Sequence, residues 1–254
     1  MVNQCKQKIL AGEMVFGTFI TINSIELSGL LAQAGYDFLM IDGEHGAMDI
    51  ETAGRQIEVI SRYTAPLLRI PYLDPVHTKK GLDSGAYGLM VPMIKEKKEA
   101  EQFVRLTSYP PKGVRGCGAT RANGFYTKAE QYMKFAEENI LRIIQIETAE
   151  ALEAIDDLLT VENIDVAFLG PYDMSYALGV PGDVSGKVIS DAAEKVAKAC
   201  RKHHVCAGIM TNRQDMEKHA AMGYKFLLDG LDGLMIAKAA EESIHYYKHI
   251  VGKV

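Results

Sequence analysis

The chain reads as a single (β/α)8 barrel. Eight short apolar runs alternate with longer amphipathic segments along its 254 residues, the pattern of repeated β-then-α units. The runs are apolar throughout rather than at every second residue, which implies burial on both faces and therefore a parallel sheet. The first run leads into Phe16-Gly17-Thr18-Phe19-Ile20 without the Gly-rich turn that usually marks a doubly wound open sheet. No linker, internal repeat or low-complexity tract divides the chain, so 1–254 is expected to form one domain.

The elements follow in order. Val-Phe-Gly-Thr at 15–18 is the first strand, and the amphipathic stretch 24–34 the first helix. Phe-Leu-Met-Ile-Asp at 38–42 is the second strand, followed by a helix at 50–63. Leu-Leu-Arg-Ile at 67–70 and Gly-Leu-Met-Val-Pro at 88–92 are the third and fourth strands, with a helix at 97–107 after the fourth. The fifth strand, 143–147, ends in Gln-Ile-Glu, and a helix is expected at 149–159. The sixth strand is 165–170, the seventh 205–210 and the eighth 226–229. Helices at 191–203, 213–221 and 237–250 complete the alternation. The last of these is an amphipathic segment suited to an interface between copies of the chain.

Two segments break the rhythm. Residues 108–126 are rich in Gly, Pro and Arg, and a connection that long in a compact domain is more often functional than idle. Residues 179–190 are the second.

Composition narrows the function classes. A net charge of -5 provides no basic footprint for nucleic acid. No apolar stretch approaches the roughly 20 residues needed to cross a bilayer, so no membrane partner is expected. The start, Met-Val-Asn-Gln-Cys-Lys-Gln-Lys, lacks the apolar segment of a secretory signal. Cys5, Cys117, Cys200 and Cys206 form no CxxC pair, and reduced thiols in a cytoplasmic protein are the simplest reading. No P-loop and no Gly-x-Gly-x-x-Gly after a strand is present, so neither ATP nor nicotinamide chemistry is indicated.

The active site of such a barrel lies at the C-terminal ends of its strands. The polar residues there are concentrated: Asp42, Glu44 and His45 after the second strand, Arg69 in the third, Gln145 and Glu147 in the fifth, Asp173 after the sixth and Asp229 in the eighth. A strand that ends in a lone carboxylate is costly to desolvate. Two such ends, Glu147 and Asp173, suggest a shared hard cation with oxygen ligands. Each also has a plain alternative, Glu147 in the first turn of the next helix and Asp173 as the N-cap of a short one. His45 is the candidate general base, with Asp42 three residues earlier placed to orient its ring. Arg69 inside an apolar strand needs an anionic partner, either Glu147, a substrate carboxylate or both. Arg115 and Arg121 either contact substrate or pair with acids. The other histidines, His77, His203, His204, His219, His245 and His249, fall in polar helical contexts and are expected to be solvated. A Schiff-base aldolase needs a desolvated lysine at a strand end. Lys95 is the nearest, but it sits among Glu96, Lys97 and Lys98 at a solvated helix start.

Taken together, these stretches resemble the HpcH/HpaI aldolase family. They are Tyr-Asp-Phe-Leu-Met-Ile-Asp-Gly-Glu-His-Gly (36–46), Pro-Leu-Leu-Arg-Ile-Pro (66–71), Leu-Asp-Ser-Gly-Ala-Tyr-Gly-Leu-Met-Val-Pro-Met-Ile (82–94), Tyr-Pro-Pro-Lys-Gly-Val-Arg-Gly (109–116), Ile-Gln-Ile-Glu-Thr (144–148) and Asp-Val-Ala-Phe-Leu-Gly-Pro-Tyr-Asp-Met-Ser-Tyr-Ala-Leu-Gly (165–179). The resemblance implies a (β/α)8 barrel that assembles as a homohexamer, a trimer of dimers with exchanged C-terminal helices. It implies a class II aldolase that cleaves or forms 4-hydroxy-2-oxo acids, with pyruvate as the common half and a small aldehyde as the other. Glu147 and Asp173 then match the ligands of a divalent cation (Mg²⁺, Mn²⁺ or Co²⁺). His45 with Asp42 matches the acid–base pair, and Arg69 the residue that steadies the developing negative charge. Gln145 matches a position near the pyruvate, and the turn Gly170-Pro171-Tyr172 the backbone that holds its carboxylate. Tyr172 stands where the family usually has a small residue, and Met174 where it usually has Leu. Two competing readings are a citrate-lyase-β-like lyase acting on a CoA thioester and a barrel retained as a binding or regulatory protein.

Overall fold

The structure, a computed structural model, describes residues 2–252. Eight parallel strands close into a barrel in chain order, each paired with its sequence neighbours and the eighth with the first. Helix α1 (Gln4–Leu10) precedes β1 (Val15–Ile20), and α2 (Ile25–Ala32) leads to β2 (Phe38–Asp42). Then come α3 (Ile50–Ile60), β3 (Ala65–Arg69), α4 (Pro75–Asp83), β4 (Gly88–Val91), α5 (Lys97–Thr107), α6 (Ala129–Asn139) and β5 (Leu141–Ile146). The second half runs α7 (Ala149–Glu153), α8 (Ile155–Leu158), β6 (Val166–Leu169), α9 (Pro171–Ala177), α10 (Lys187–His203), β7 (Cys206–Thr211), α11 (Met216–Met222), β8 (Phe226–Leu231) and α12 (Asp232–Val251).

All eight expected strands form. Four expected features differ. Helix α4 was not foreseen, although Asp74 accepts hydrogen bonds from the Val76 and His77 N–H groups and Pro75 occupies its first turn. Lys79-Lys80-Gly81 dilutes its periodicity. Helices α1 and α6 were also unforeseen. The helix expected at 149–159 is two short ones, broken at Ala154, where ψ opens to 7°.

Alternation along each strand sorts the side chains. One set, including Val15, Phe19, Phe38, Met40, Leu67, Met90, Ile143, Phe168 and Phe226, fills the barrel interior. The other, including Ile20, Leu39, Ile41, Leu68, Leu89, Ile144 and Leu169, meets the surrounding helices. The Phe38 and Phe226 rings stack 4.2 Å apart across the interior. Gly17 makes this possible, because a Cβ there would run into the Phe38 ring.

One mouth of the barrel is closed. Helix α1 contributes Cys5 to the interior cluster. The Asn3 side chain accepts from the Lys6 N–H and donates to the Tyr87 and Asn139 carbonyls at 3.1 and 3.0 Å. Lys6 Nζ donates to the Ile140 carbonyl at 2.8 Å and pairs with Asp165 at 3.0 Å. Burial pushes the Lys6 ammonium below its usual range, opposed by Asp165.

The 108–126 segment is anchored outside the barrel rather than at the strand ends. Arg115 is buried, donates to Asp83 at 2.8 Å and to the Tyr132 hydroxyl at 3.1 Å, and lies 4.6 Å from the Tyr109 ring centroid. Arg121 donates to the Gly54 carbonyl and stands 3.6 Å from Glu58. Both arginines therefore hold the segment to α3, α4 and α6. No helix among the described residues is long and apolar enough to cross a membrane.

Candidate active site

The strand alternation that fills the interior also lifts four polar side chains to its open mouth. Asp42 is in phase with Phe38 and Met40, Arg69 with Ala65 and Leu67, and Gln145 with Leu141 and Ile143. Glu147 continues the β5 phase one residue beyond the strand. Asp42 and Arg69 are direct register partners on neighbouring strands. Asp229 does not join them. It is out of phase with Phe226 and Leu228, and its charge acts on Tyr36 on the outer side.

Arg69 is the hub. Its Nε donates to Asp42 Oδ1 at 3.0 Å and its Nη2 to Oδ2 at 2.8 Å, a two-pronged pairing. Its Nη1 reaches Gln145 Oε1 at 3.4 Å and lies 3.2 Å from Glu44 Oε2. The Phe19 ring lies 4.4 Å from the guanidinium carbon. Asp42 and Glu44, rather than Glu147, are thus its anionic partners. Burial pushes the Asp42 carboxyl up, but the Arg69 bonds and charge, with the His45 and Glu44 N–H groups, hold it below the ordinary carboxylate range.

Glu147 is buried and held at both oxygens. Oε1 accepts from the Met93 N–H at 2.6 Å, and Oε2 from Gln145 Nε2 at 2.7 Å. Met93 takes a left-handed backbone (φ 58°), uncommon outside glycine, to aim that N–H inward. Gly170 packs against the same carboxylate: a Cβ there would stand 3.3 Å from Glu147 Oε2 and 3.6 Å from Gln145 Nε2. Pro171 begins α9, which places Asp173 in its first turn, exposed at the mouth. The Tyr172 side chain leaves the pocket, 58% exposed, with its ring 5.4 Å from that of Tyr176. Met174 is fully buried in the core where a Leu would do the same work.

The His45 geometry corrects an expectation. Asp42 does not touch the imidazole. Its Oδ1 instead accepts the Glu44 and His45 backbone N–H groups at 3.1 and 3.2 Å, fixing the turn after β2. Arg69 in the adjacent register position has claimed both Asp42 oxygens, so the carboxylate cannot swing outward. The exposed His45 ring faces Glu44, with Nε2 3.8 Å from Oε2. Glu44 is the residue that sequence reasoning left without a role; its signal was its place between Asp42 and His45.

The other histidines divide. His204, His245 and His249 are exposed. His203 bonds Asp156 at 2.8 Å, and His77 pairs with Asp74. His219 is not solvated: Thr211 Oγ1 lies 2.8 Å from its Nδ1, and burial holds its imidazole below the usual range.

Charge is unbalanced at the mouth. Burial pushes the Glu147 carboxyl up to about 7, with the charges of Glu44 and Asp173 adding to it against the Met93 N–H and Arg69. Burial likewise raises Glu44 to about 7, with Asp42 and Asp173 adding to it and Arg69 opposing. The charge of Asp173, in the first turn of α9, thus reaches both Glu147 and Glu44. Arg69 is the cation here and is already committed to Asp42. Glu44 Oε2 is enclosed and has no hydrogen-bond partner. An all-oxygen, surplus-negative donor set fits a hard divalent cation. Among the described residues no three His, Cys, Asp or Glu side chains stand together as a ready ligand set, so oxygens other than theirs would have to complete a shell. Two surface cavities, one of about 390 Å³ beside α3 and α4 and one of about 530 Å³ along α12, lie away from these acids.

Comparison with known proteins places the chain in a family. Residues 16–239 match the family model described as HpcH/HpaI aldolase/citrate lyase. The chain is 34% identical to a 4-hydroxy-2-oxo-heptane-1,7-dioate aldolase of Escherichia coli over 95% of its own length and 93% of the relative's. It is 31% identical to a hydroxypyruvate/pyruvate aldolase of Roseovarius nubinhibens, covering 95% of each. A crystal structure of an HpcH/HpaI aldolase/citrate lyase family protein from Burkholderia cenocepacia superposes with a TM-score of 0.93 at 28% identity, over 97% of this chain and 100% of that one.

Proposed function

Because the chain belongs to the HpcH/HpaI aldolase/citrate lyase family, a family of carbon–carbon lyases, we propose that it is a divalent-metal-dependent class II aldolase that reversibly cleaves a 4-hydroxy-2-oxo acid to pyruvate and an aldehyde. What supports this reading is a buried Glu147 at the open mouth of the barrel, reached by the charge of Asp173 from the first turn of α9 and standing near the Arg69 guanidinium that Asp42 holds fixed.

Glu147 and Asp173 are the residues that would hold Mg²⁺, Mn²⁺ or Co²⁺, and a bound cation supplies Lewis acidity toward a 2-oxo group. Arg69 cannot reorient without breaking its Asp42 bonds, so its charge stands ready where negative charge develops on the 2-oxo oxygen. Gln145 is pinned between Arg69 and Glu147 and sets the inner wall beside the pyruvate half. The turn Gly170-Pro171-Tyr172 receives the carboxylate, and the missing side chain at Gly170 leaves room against Glu147. His45, exposed on a turn fixed by Asp42, takes the C4 hydroxyl proton as the C3–C4 bond breaks; the aldehyde carbonyl forms, the bond's electron pair stays with the three-carbon half as its enolate, and protonation at C3 gives pyruvate. Lys95 takes no part: it is exposed and 3.7 Å from Glu150. The protein works as a homo-oligomer, a hexamer built as a trimer of dimers, with the exposed apolar residues of α12 at subunit contacts.

The test is a chelator titration with pyruvate release as readout, using a panel of 4-hydroxy-2-oxo acids. Activity should vanish in excess chelator and return with Mn²⁺ or Co²⁺, and borohydride with pyruvate should trap no adduct. Full activity in chelator, or a trapped lysine, would overturn the class II reading.

A further inference from the structure

The guanidinium of Arg69 rests on a side chain that the proposed chemistry leaves unused. Within its plane the head group is held by Asp42, through Nε and Nη2, and by Gln145, through Nη1. Hydrogen bonds tolerate a moderate tilt before they weaken steeply, so these fix the position of the charge better than its attitude. The face is held differently. The guanidinium carbon stands over the Phe19 ring, 4.4 Å from its centroid, with Phe19 4% and Arg69 7% exposed. A cation over an aromatic face is attracted by the ring quadrupole, most strongly where water is excluded. The strands build this contact from below. Phe19 pairs with Met40 and Met40 with Leu67, so the ring lies one inward layer beneath the Asp42–Arg69 pair. On the other side of Phe19 the β1–β8 register shifts: Gly17 pairs with Leu228, but Phe19 with Leu231. The additional residue belongs to β8, where Gly230 takes a left-handed φ of 59°. That bulge reverses the phase of the strand, and Leu231 packs against the interior cluster. Phe19 thus has an apolar inward neighbour on each flanking strand, Met40 and Leu231.

We infer that Phe19 is a positioning residue for the reaction: its ring keeps the Arg69 guanidinium level and dry on one face, so that the charge is already aimed when negative charge develops on the 2-oxo oxygen. This rests on the role proposed above for Arg69 and adds the residue that sets its attitude. Phe19 acts through Arg69. An aliphatic side chain there fills similar space but has no quadrupole, so the fork to Asp42 survives while the guanidinium tilts and admits water. A charge held ready in a dry setting favours the transition state over bound substrate. Its loss therefore falls on turnover and spares substrate affinity.

The test uses pyruvate alone, because an enzyme that forms its enolate also exchanges its methyl protons with heavy water. The bond from C3 to hydrogen breaks with its electron pair passing to the 2-oxo group, the proton goes to solvent, and a deuteron returns to C3. Exchange is followed by proton NMR on the full-length protein with Mg²⁺. Phe19→Leu should slow exchange at saturating pyruvate by roughly 10-fold, with the half-saturating concentration changed by less than about 2-fold. Phe19 is then replaced site-specifically by mono-, di- and trifluorophenylalanine, which keep the shape but weaken the quadrupole in steps. The exchange rate should fall with each fluorine, while the melting temperature in chelator does not. A rate indifferent to fluorination would overturn the inference and mark Phe19 as packing alone, and so would an unchanged rate in Phe19→Leu. The unmodified protein judges the proposed activity separately. No exchange there would sink the aldolase reading and this inference with it, whereas exchange that ignores the ring sinks the inference alone.

Discussion

Arg69 shows how much a single side chain can be asked to do. It neutralises Asp42, faces Glu44 and, under the proposed chemistry, offers a fixed positive charge to the reaction. Truncating it therefore has two costs. Arg69→Ala should lower kcat by about 100–1000-fold, as removal of a preorganised charge does. It should also lower stability by roughly 3–5 kcal/mol, because Asp42 is left buried and unpaired. Arg69→Lys keeps the charge but not the fork. It should retain most of the melting temperature while losing most of the turnover, and the split between the two variants separates chemistry from folding. The acids make a second prediction. Burial and neighbouring negative charge raise Glu44 and Glu147 in the folded protein from 4.5 to about 7, so between those values the native state binds protons more tightly than the unfolded chain. Stability in chelator should thus be greatest at the low end of that window and fall as pH rises toward about 7. A series of thermal melts in chelator checks this. Glu147→Gln or saturating Mn²⁺ should flatten the slope, and a flat profile in the unmodified protein would refute the raised values.

Elements explain what could be read from the chain and what could not. The strands were legible because burial on both faces leaves uninterrupted runs such as Phe-Leu-Met-Ile-Asp, and a polar residue at the end of such a run is conspicuous. Asp42, Arg69, Gln145 and Glu147 were all found that way. The His45 ring was misassigned to Asp42 because spacing of three residues says which groups are near, not which hydrogen bond wins. That contest is decided by Arg69 on the neighbouring strand, a register fact absent from local sequence. Helices α1 and α6 escaped notice because one is short and the other sits behind an irregular segment. Yet α1 has a distinct task at the closed mouth. Asn3→Ala removes the side-chain donor to the Tyr87 and Asn139 carbonyls; the Tyr87 carbonyl keeps the Leu141 N–H, while the Asn139 carbonyl loses its Asn3 donor in a buried setting. This should cost roughly 1–3 kcal/mol of stability. Turnover below the melting transition should be unchanged, because the acids stand at the opposite mouth. A fall in kcat for the folded variant would show that the two ends are coupled.

Across the whole molecule, α12 is a long helix that the barrel covers little, with Asp232 its one buried residue among those described. It is tied at its start, where Asp232 accepts from the Thr21 and Ile22 N–H groups at 2.9 Å each. Beyond that point Ile236, Ile244, Tyr246, Tyr247 and Ile250 are exposed. A helix with that surface is expected to be covered by another copy of the chain. Deleting residues 238–254 should reduce the oligomer to smaller species in light scattering while the barrel keeps its far-ultraviolet circular dichroism; an unchanged assembly would exclude α12 from the contacts.

The sealed end of the barrel has a further result. With α1 and its hydrogen bonds across one opening, and Phe38, Phe168 and Phe226 packed through the middle, the described residues leave no tunnel from end to end. Reactants and products share a single doorway. Of two fragments made at its floor, the one nearer the threshold must depart before the one seated deeper can follow. Under the proposed chemistry the aldehyde leaves first and pyruvate last, so traffic through the enzyme is a queue rather than a flow.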